Sequence, residues 1–416
     1  MAAFEKTPDQ RRALALLGSE ARNTLLFGGS RSGKTFILVY SLLVRAIREP
    51  GSRHIILRFR ANAVRQSVRL DTLPKVIRLA FPGLTFAENA ADGYLTLPNG
   101  SEIWFGGLDS DERVDKILGK EFATIYFNEC SEISYGAVTT ALTRLAQRTK
   151  LVNRAYFDCN PSGKSHWSYR LFVEKVDPVS RLGLMNPKNY AAMTMNPAGN
   201  RANLPPGYLE DTLAALPERQ RRRFLDGEFQ EDLAGALWNY GMLERCRAGV
   251  LPEMSRVVVG VDPAVTSGEN SDFTGIVGAG RGVDGTIYIL SDVSHRGTPR
   301  GWGERVIGEY RRLGADRVVA EVNNGGELVE SLLRTFDAEL SFKAVRAAHG
   351  KVARAEPVAA LYERGKVLHA GVFPELEEEM CSFLPGANFS PDRLDAMVWA
   401  VTELIGSPDG ERFVWA

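Results

Sequence analysis

The sequence predicts an α/β protein in two parts, a phosphate-loop domain followed by a domain whose buried strands end in acids. Three observations predict it. Residues 24–44 run from a short apolar stretch through a glycine-rich loop into a long apolar stretch, the strand–loop–helix order that a phosphate-binding loop requires. From residue 256 the pattern changes to buried strands, 257–263 and 317–321, that finish on carboxylates. A chain of 416 residues also exceeds one ordinary domain. The expected boundaries are 1–230 for the first domain with a lid-like C-terminal part, 231–255 for a linker, and 256–416 for the second domain.

Composition excludes several classes. With 44% hydrophobic and 25% charged residues the chain is built for packed cores rather than disorder. Lys and Arg number 51 against 51 Asp and Glu, so the net charge gives no global argument for nucleic acid, and any DNA contact must come from local basic faces. Cys130, Cys159, Cys246 and Cys381 form no CxxC pair, which argues against both a disulfide framework and a zinc cluster. No stretch is long and apolar enough to span a membrane, and Met1–Lys6 lacks a signal-peptide core. The expected setting is intracellular and reducing.

The first helix opens at Thr7-Pro8-Asp9-Gln10, with Thr7 as N-cap and Pro8 at the first helical position. Gln10 carries an amide that matches the edge of adenine, although a surface glutamine explains it as well. Then comes the loop Gly28-Gly29-Ser30-Arg31-Ser32-Gly33-Lys34-Thr35. Its glycines let successive N–H groups face phosphate oxygens, and the helix that starts here adds its positive end. Lys34 supplies a charge for the outer phosphates and Thr35 a hydroxyl for Mg²⁺. The reading is a nucleoside triphosphate site.

Residues 54–59 read as a second buried strand, and Tyr94–Phe105 as a hairpin around Pro98-Asn99-Gly100. The strand 123–129 ends in Glu129, where a P-loop ATPase places its water-activating base. Asn128 stands where such strands usually carry an Asp for the magnesium shell. Residues 154–161 form a strand stopped by Asn160-Pro161, whose polar tip can sense hydrolysis. Residues 177–203 look irregular, and 209–229 helical, with the densest basic cluster at Arg219, Arg221, Arg222 and Arg223.

In the second half, residues 257–263, 273–277 and 286–290 read as successive strands, followed by alternating helix and strand. Three strands, then alternation, with acids at two strand ends and on a late helix, suggest an RNase H-like fold. Its chemistry needs two divalent cations roughly 3.5–4 Å apart, held by carboxylates converging from several elements. Asp262, Glu321 and Asp395 fit that requirement, with Asp272 and Asp392 as candidate supporting acids. An acid in a helix's first turn, such as Asp392, is also stabilised by the helix dipole alone.

Taken together, these motifs resemble the large terminase subunit of tailed bacteriophages and gene transfer agents, over nearly the whole chain. The resemblance rests on residues 7–10, 28–35, 127–129, 160–161 and 223–228, and on Val261-Asp262-Pro263-Ala264, residues 272–276, 320–326 and 390–396. It implies an N-terminal P-loop ATPase domain of the ASCE type and a C-terminal RNase H-like nuclease domain. It further implies that the nucleotide is ATP, with Gln10 reading adenine, Gly33, Lys34 and Thr35 holding the triphosphate and Mg²⁺, Glu129 activating water, and Asn160 coupling hydrolysis to movement. Asp262, Glu321 and Asp395 would hold two Mg²⁺ or Mn²⁺ ions for an endonuclease. The implied partners are double-stranded DNA, a small terminase subunit and the portal protein of a procapsid. The implied working form is a ring of about five subunits in which an arginine (Arg31, Arg58, Arg60, Arg144 or Arg148) acts in trans on a neighbour's nucleotide. The implied place of work is the host bacterial cytoplasm, docked transiently on the procapsid, with the protein absent from the mature virion.

Two other readings fit fewer of these residues. One is a helicase-like repair ATPase fused to a nuclease. The other is an ATP-gated assembly protein whose C-terminal acids are structural.

Overall fold

A computed structural model describes residues 5–89, 92–108, 119–216, 218–263, 273–322, 326–347, 350–384 and 391–406. The chain divides into two compact units, Met1–Glu231 and Asp232–Ala416.

The first unit is built on an eight-stranded sheet of order β3-β4-β5-β2-β6-β7-β1-β8. Its strands are β1 (Asn23–Phe27), β2 (Arg53–Arg58), β3 (Ala87–Asn89), β4 (Tyr94–Thr96), β5 (Glu102–Gly107), β6 (Thr124–Phe127), β7 (Arg154–Cys159) and β8 (Tyr190–Thr194). From β5 to β8 every pairing is parallel, and only the hairpin edge β3-β4-β5 is antiparallel. The parallel strands are apolar on both faces because both faces are covered. Leu26, Ile56, Tyr126 and Tyr156 pack on one side with Ile37, Leu38 and Leu42 of the helix Lys34–Arg48. Their neighbours Leu25, Ile55, Ile125 and Phe157 face the other side, against Trp167 and Phe172. The expected hairpin is present, with Thr96 opposite Glu102.

The strand order matters for the site. β7 lies between β1, which leads into the glycine loop, and β6, which leads into Glu129. The C-terminal tips of three parallel strands therefore sit side by side, where ligands of such sheets bind.

Two expectations for this unit change. The segment 177–203 contains β8, which joins β1 in parallel and closes the sheet edge. The stretch 209–229 is not one helix: Glu218–Phe224 is helical, and Gly227, at a φ of 66°, turns the chain back toward the glycine loop.

The second unit carries a seven-stranded sheet of order β14-β13-β9-β10-β11-β15, with β12 pairing to β10. The strands are β9 (Met254–Asp262), β10 (Phe273–Gly282), β11 (Ile287–Asp292), β12 (His295–Arg296), β13 (Arg317–Glu321), β14 (Phe342–Val345) and β15 (Val367–His369). β9, β10 and β11 form an antiparallel meander, and β13 adds to β9 in parallel. The helix Asp392–Ile405 covers one face and the helix Pro299–Leu313 the other.

Residues 231–255, expected as a linker, are part of this unit from Asp232 onward. Trp238, Tyr240, Leu243 and Cys246 are buried with Val258, Tyr362 and Val367. A segment so rich in large apolar groups is more stable packed than exposed between domains. No helix among the described residues is long and apolar enough to cross a membrane.

Candidate functional site

The glycine loop is set by close approach. Gly28 has a φ of 139°, and a side chain there would place its first carbon 2.0 Å from the Met195 carbonyl oxygen. At Gly29 the same atom would lie 2.5 Å from the Phe224 carbonyl oxygen. The loop is tied to the returning chain: Ser30 N–H donates to Phe224 O at 2.8 Å, Gly29 N–H to Asn196 Oδ1 at 3.0 Å, and Asn196 Nδ2 to Asp226 O at 2.7 Å. Arg31 adopts a left-handed φ of 58° and is exposed. Gly33, also left-handed, is the N-cap of Lys34–Arg48 and has no side chain to cap it.

Lys34 is buried under this loop. Its Nζ donates to Gly28 O at 2.9 Å, Gly29 O at 2.7 Å, Ser32 Oγ at 3.2 Å and Asn160 Oδ1 at 3.3 Å. Burial lowers its pKa, and the charges of Glu129 and Asp158 oppose that shift. Asn160, at the tip of β7, thus stands beside Lys34 of the glycine loop.

Gln10 is not a free surface residue. It completes a capping box, with Gln10 Oε1 accepting the Thr7 N–H at 3.1 Å and Thr7 Oγ1 accepting the Gln10 N–H at 3.2 Å. Its Nε2 points at Gly33, which leaves the amide nitrogen for any base contact. Among the arginines, Arg58 is engaged as a fork on Glu132, at 3.0 Å on both arms.

Glu129 follows β6 in a left-handed conformation, with a φ of 50°. Such a backbone is uncommon for a residue with a side chain and clusters at functional positions. Burial, then the neighbouring Asp158 charge, pushes its carboxyl up to about 7, against the pull of Lys34. A carboxyl titrating near neutrality is suited to accept a proton from water.

Asp158, near the tip of β7, was not singled out by sequence reasoning, although an acid two residues before Asn160 was there to see. It is fully buried. Thr35 Oγ1 donates to its Oδ2 at 2.7 Å, and Asn128 Nδ2 and the Glu129 N–H donate to its Oδ1 at 3.0 and 2.8 Å. Asn128 Oδ1 is buried without a hydrogen-bond partner. A hydroxyl bonded to a carboxylate, with a buried, unsatisfied amide oxygen on the neighbouring side chain, gives hard oxygen donors of the kind that fit Mg²⁺.

The second unit gathers the expected acids at one end of its sheet. Asp262 ends β9 and Glu321 ends β13, and the pairing of Val261 with Ala320 brings these two strand ends together. Asp395 comes from the helix Asp392–Ile405, which lies directly on the strands. A side chain at Gly260 would meet Ala396 O at 2.1 Å, and one at Gly275 would meet Asp392 O at 1.9 Å. Burial first, then the charges of Asp395, Asp392 and Glu321, pushes the Asp262 carboxyl up to about 8. Asp272 lies outside the described residues.

The acids are not arranged as a simple cage. Among the described residues no group of three His, Cys, Asp or Glu side chains is positioned to hold a metal. Lys351 Nζ pairs with Asp395 Oδ2 at 2.5 Å, and Arg354 reaches Glu321 at 2.9 Å and Asp395 at 3.4 Å. Trp399 Nε1 also donates to Glu321 at 2.8 Å. Buried carboxylates require counter-charge, and these two cations supply it. Sequence reasoning missed them because their helix, Lys351–Glu363, is distant in the chain from all three acids. The donors are nonetheless carboxylate oxygens, the kind that hard divalent ions take, and Asp395 Oδ2 is buried.

Two family models match the chain in succession. Residues 25–245 match the family model "Terminase large subunit, T4likevirus-type, N-terminal", and residues 259–404 match the terminase RNaseH-like domain. Among solved structures, the large terminase of a thermophilic bacteriophage is 16% identical, with 96% of this chain and 99% of that chain covered and a TM-score of 0.51. The same phage protein in complex with ADP is 16% identical, covering 97% and 100% at a TM-score of 0.49. The HK97 bacteriophage large terminase is 13% identical, covering 96% and 95% at a TM-score of 0.35. No curated protein sequence matches.

Proposed function

Because this chain belongs to the terminase large-subunit family, we propose that it is a viral DNA-packaging motor subunit, hydrolysing ATP to move double-stranded DNA into a procapsid and cutting the concatemer with a two-metal endonuclease. One observation carries the reading. A single chain joins a Lys34–Thr35–Glu129–Asn160 constellation in its first unit to an Asp262–Glu321–Asp395 cluster in its second.

In the first site, the loop N–H groups and Lys34 receive the outer phosphates, and Thr35 lies where Mg²⁺ would be held. Bound Mg²⁺ would supply charge neutralisation on the phosphates. Glu129 accepts the proton of the attacking water. Lys34 exchanges its loop partners for phosphate, and Asn160, bonded to the same Nζ, registers that exchange at the tip of β7. In the second site, Asp262, Glu321 and Asp395 would hold divalent cations, which supply Lewis-acid stabilisation of phosphodiester cleavage. Lys351 and Arg354 would then be released from the acids toward the DNA backbone.

The working form is a ring of about five copies on the portal vertex, receiving DNA from a small terminase subunit in the host cytoplasm and leaving before the virion matures. The test is DNA protection: with ATP, small subunit and portal-bearing procapsids, the chain makes DNA resistant to external nuclease, and Glu129→Gln does not. Vigorous ATP hydrolysis with no protected DNA would overturn the motor reading. The ion pairs on Asp395 and Glu321 favour one rival, an ATP-gated assembly protein whose acids are structural.

A further inference from the structure

We propose that Asp158 supplies the acid of the magnesium shell at the nucleotide site, taking the place of the carboxylate that Asn128 lacks. The assignment rests on the ATPase reading above and adds a residue to it.

The strand order makes the exchange possible. Phe127 pairs with Phe157 in parallel register, so the residues that follow them, Asn128 and Asp158, leave their strands level with each other. A carboxylate moved from the tip of β6 to the tip of β7 moves by one strand, toward β1 and the glycine loop. The side-chain contacts show where it arrives. One oxygen of Asp158 accepts the Thr35 hydroxyl at 2.7 Å, and the other accepts from Asn128 Nδ2 at 3.0 Å. That is the bridge expected of an acid serving the hydroxyl ligand, with its charge carried by the neighbouring strand. Asn128 keeps the complementary half of the pair, orienting the carboxylate as a donor, and its own Oδ1 is left buried without a partner. The same Asp158 oxygen takes the Glu129 N–H at 2.8 Å, which fixes the left-handed turn that aims the base. Asp158 is therefore a positioning residue: it sets Thr35 and Glu129 at once, and it brings a full negative charge to the place where a divalent cation needs one.

A purely structural acceptor would make the same hydrogen bonds, and metal dependence separates the two roles. Asp158→Asn is isosteric: its one oxygen can still accept from the Glu129 N–H and Asn128 Nδ2, its NH2 then faces Thr35 Oγ1 and can donate to it, and the charge is lost. Asn128→Asp with Asp158→Asn puts the carboxylate back on β6 and keeps one acid and one amide. The measurement is the ADP-dependent part of Mn²⁺ binding to the full chain, read by electron paramagnetic resonance with and without saturating ADP so that ions held by the second unit's acids cancel, beside ADP binding in EDTA by calorimetry. The expected result is that Asp158→Asn weakens Mn²⁺ binding by about tenfold or more, changes ADP binding in EDTA by less than about threefold, and is rescued by the double substitution.

Unchanged Mn²⁺ affinity in Asp158→Asn overturns the assignment and leaves the ATPase reading standing. If Asp158→Asn does not fold, the double substitution decides: a folded double variant with near wild-type Mn²⁺ affinity supports the assignment, and one that has lost it, or that fails to fold as well, overturns it. Failure of the unaltered chain to bind ADP at all would overturn the ATPase reading instead.

Discussion

Lys34 Nζ donates to Asn160 Oδ1 across 3.3 Å, joining the glycine loop to the tip of β7, and the same Nζ is held by the carbonyl oxygens of Gly28 and Gly29. Nucleotide chemistry at the loop therefore has a direct neighbour on the next strand. Asn160→Ala is expected to leave ADP binding within about threefold while lowering DNA-stimulated ATP turnover by about tenfold or more. Calorimetry beside a phosphate-release assay checks both halves.

Arg354 joins Glu321 to Asp395, and both acids are largely buried. Arg354→Ala leaves them without that counter-charge. The metal-free protein is expected to lose about 3 kcal/mol in the second unit, and Mn²⁺ is expected to restore more stability to the variant than to the unaltered chain. Thermal unfolding with EDTA and with Mn²⁺ measures the difference.

Gly260 lets the helix Asp392–Ile405 lie on β9, since a methyl group there would meet Ala396 O at 2.1 Å. Gly260→Ala must push the helix, and Asp395 with it, away from Asp262. The expected outcome is a loss of about 1–3 kcal/mol in the second unit, with DNA cutting reduced and ATP hydrolysis unchanged. Denaturant unfolding and the two activity assays on one preparation check it.

A buried network in the second unit sets its acid stability. Arg247 forks onto Glu377 at 2.5 and 2.7 Å, and Glu377 Oε1 lies 3.0 Å from His369 Nδ1. Despite its burial, the Arg247 charge holds the Glu377 carboxyl well below its ordinary range, and burial lowers His369. Both folded values lie below the unfolded ones, so both contributions are present above the unfolded values and are lost as pH falls. Stability should decline from about pH 6.5 downward, first through His369 and then through Glu377. Glu377→Gln should cost about 3–5 kcal/mol at neutral pH and flatten the acid part of the curve. Urea unfolding from pH 7 to pH 3 follows both effects.

What was legible in the sequence was what is contiguous. The glycine loop is one unbroken run, Gly28–Thr35, and the chemistry of each position follows from its neighbours. Asp262, Glu321 and Asp395 were legible because each closes or opens a recognisable apolar element. Asp158 was not, because its role depends on β7 being inserted between β6 and β1, a matter of strand order that no local pattern encodes. Lys351 and Arg354 were hidden for the same reason. β8 was obscured by the Asn, Pro and Gly around it, and it forms because β1 offers an unpaired edge. The expected linker was misread because the partners that bury Trp238 and Leu243 (Val258, Tyr362 and Val367) lie outside the segment, most of them far along the chain.

If the reading of both units is right, one chain holds two separable active sites. The direct measurement is plasmid cleavage with Mg²⁺ or Mn²⁺, beside ATP hydrolysis, on the unaltered chain, Asp262→Ala and Lys34→Ala. Asp262→Ala is expected to stop cutting and keep hydrolysis, while Lys34→Ala is expected to stop hydrolysis and keep cutting. Equal cutting by all three, or no cutting by the unaltered chain with either metal, would contradict that reading.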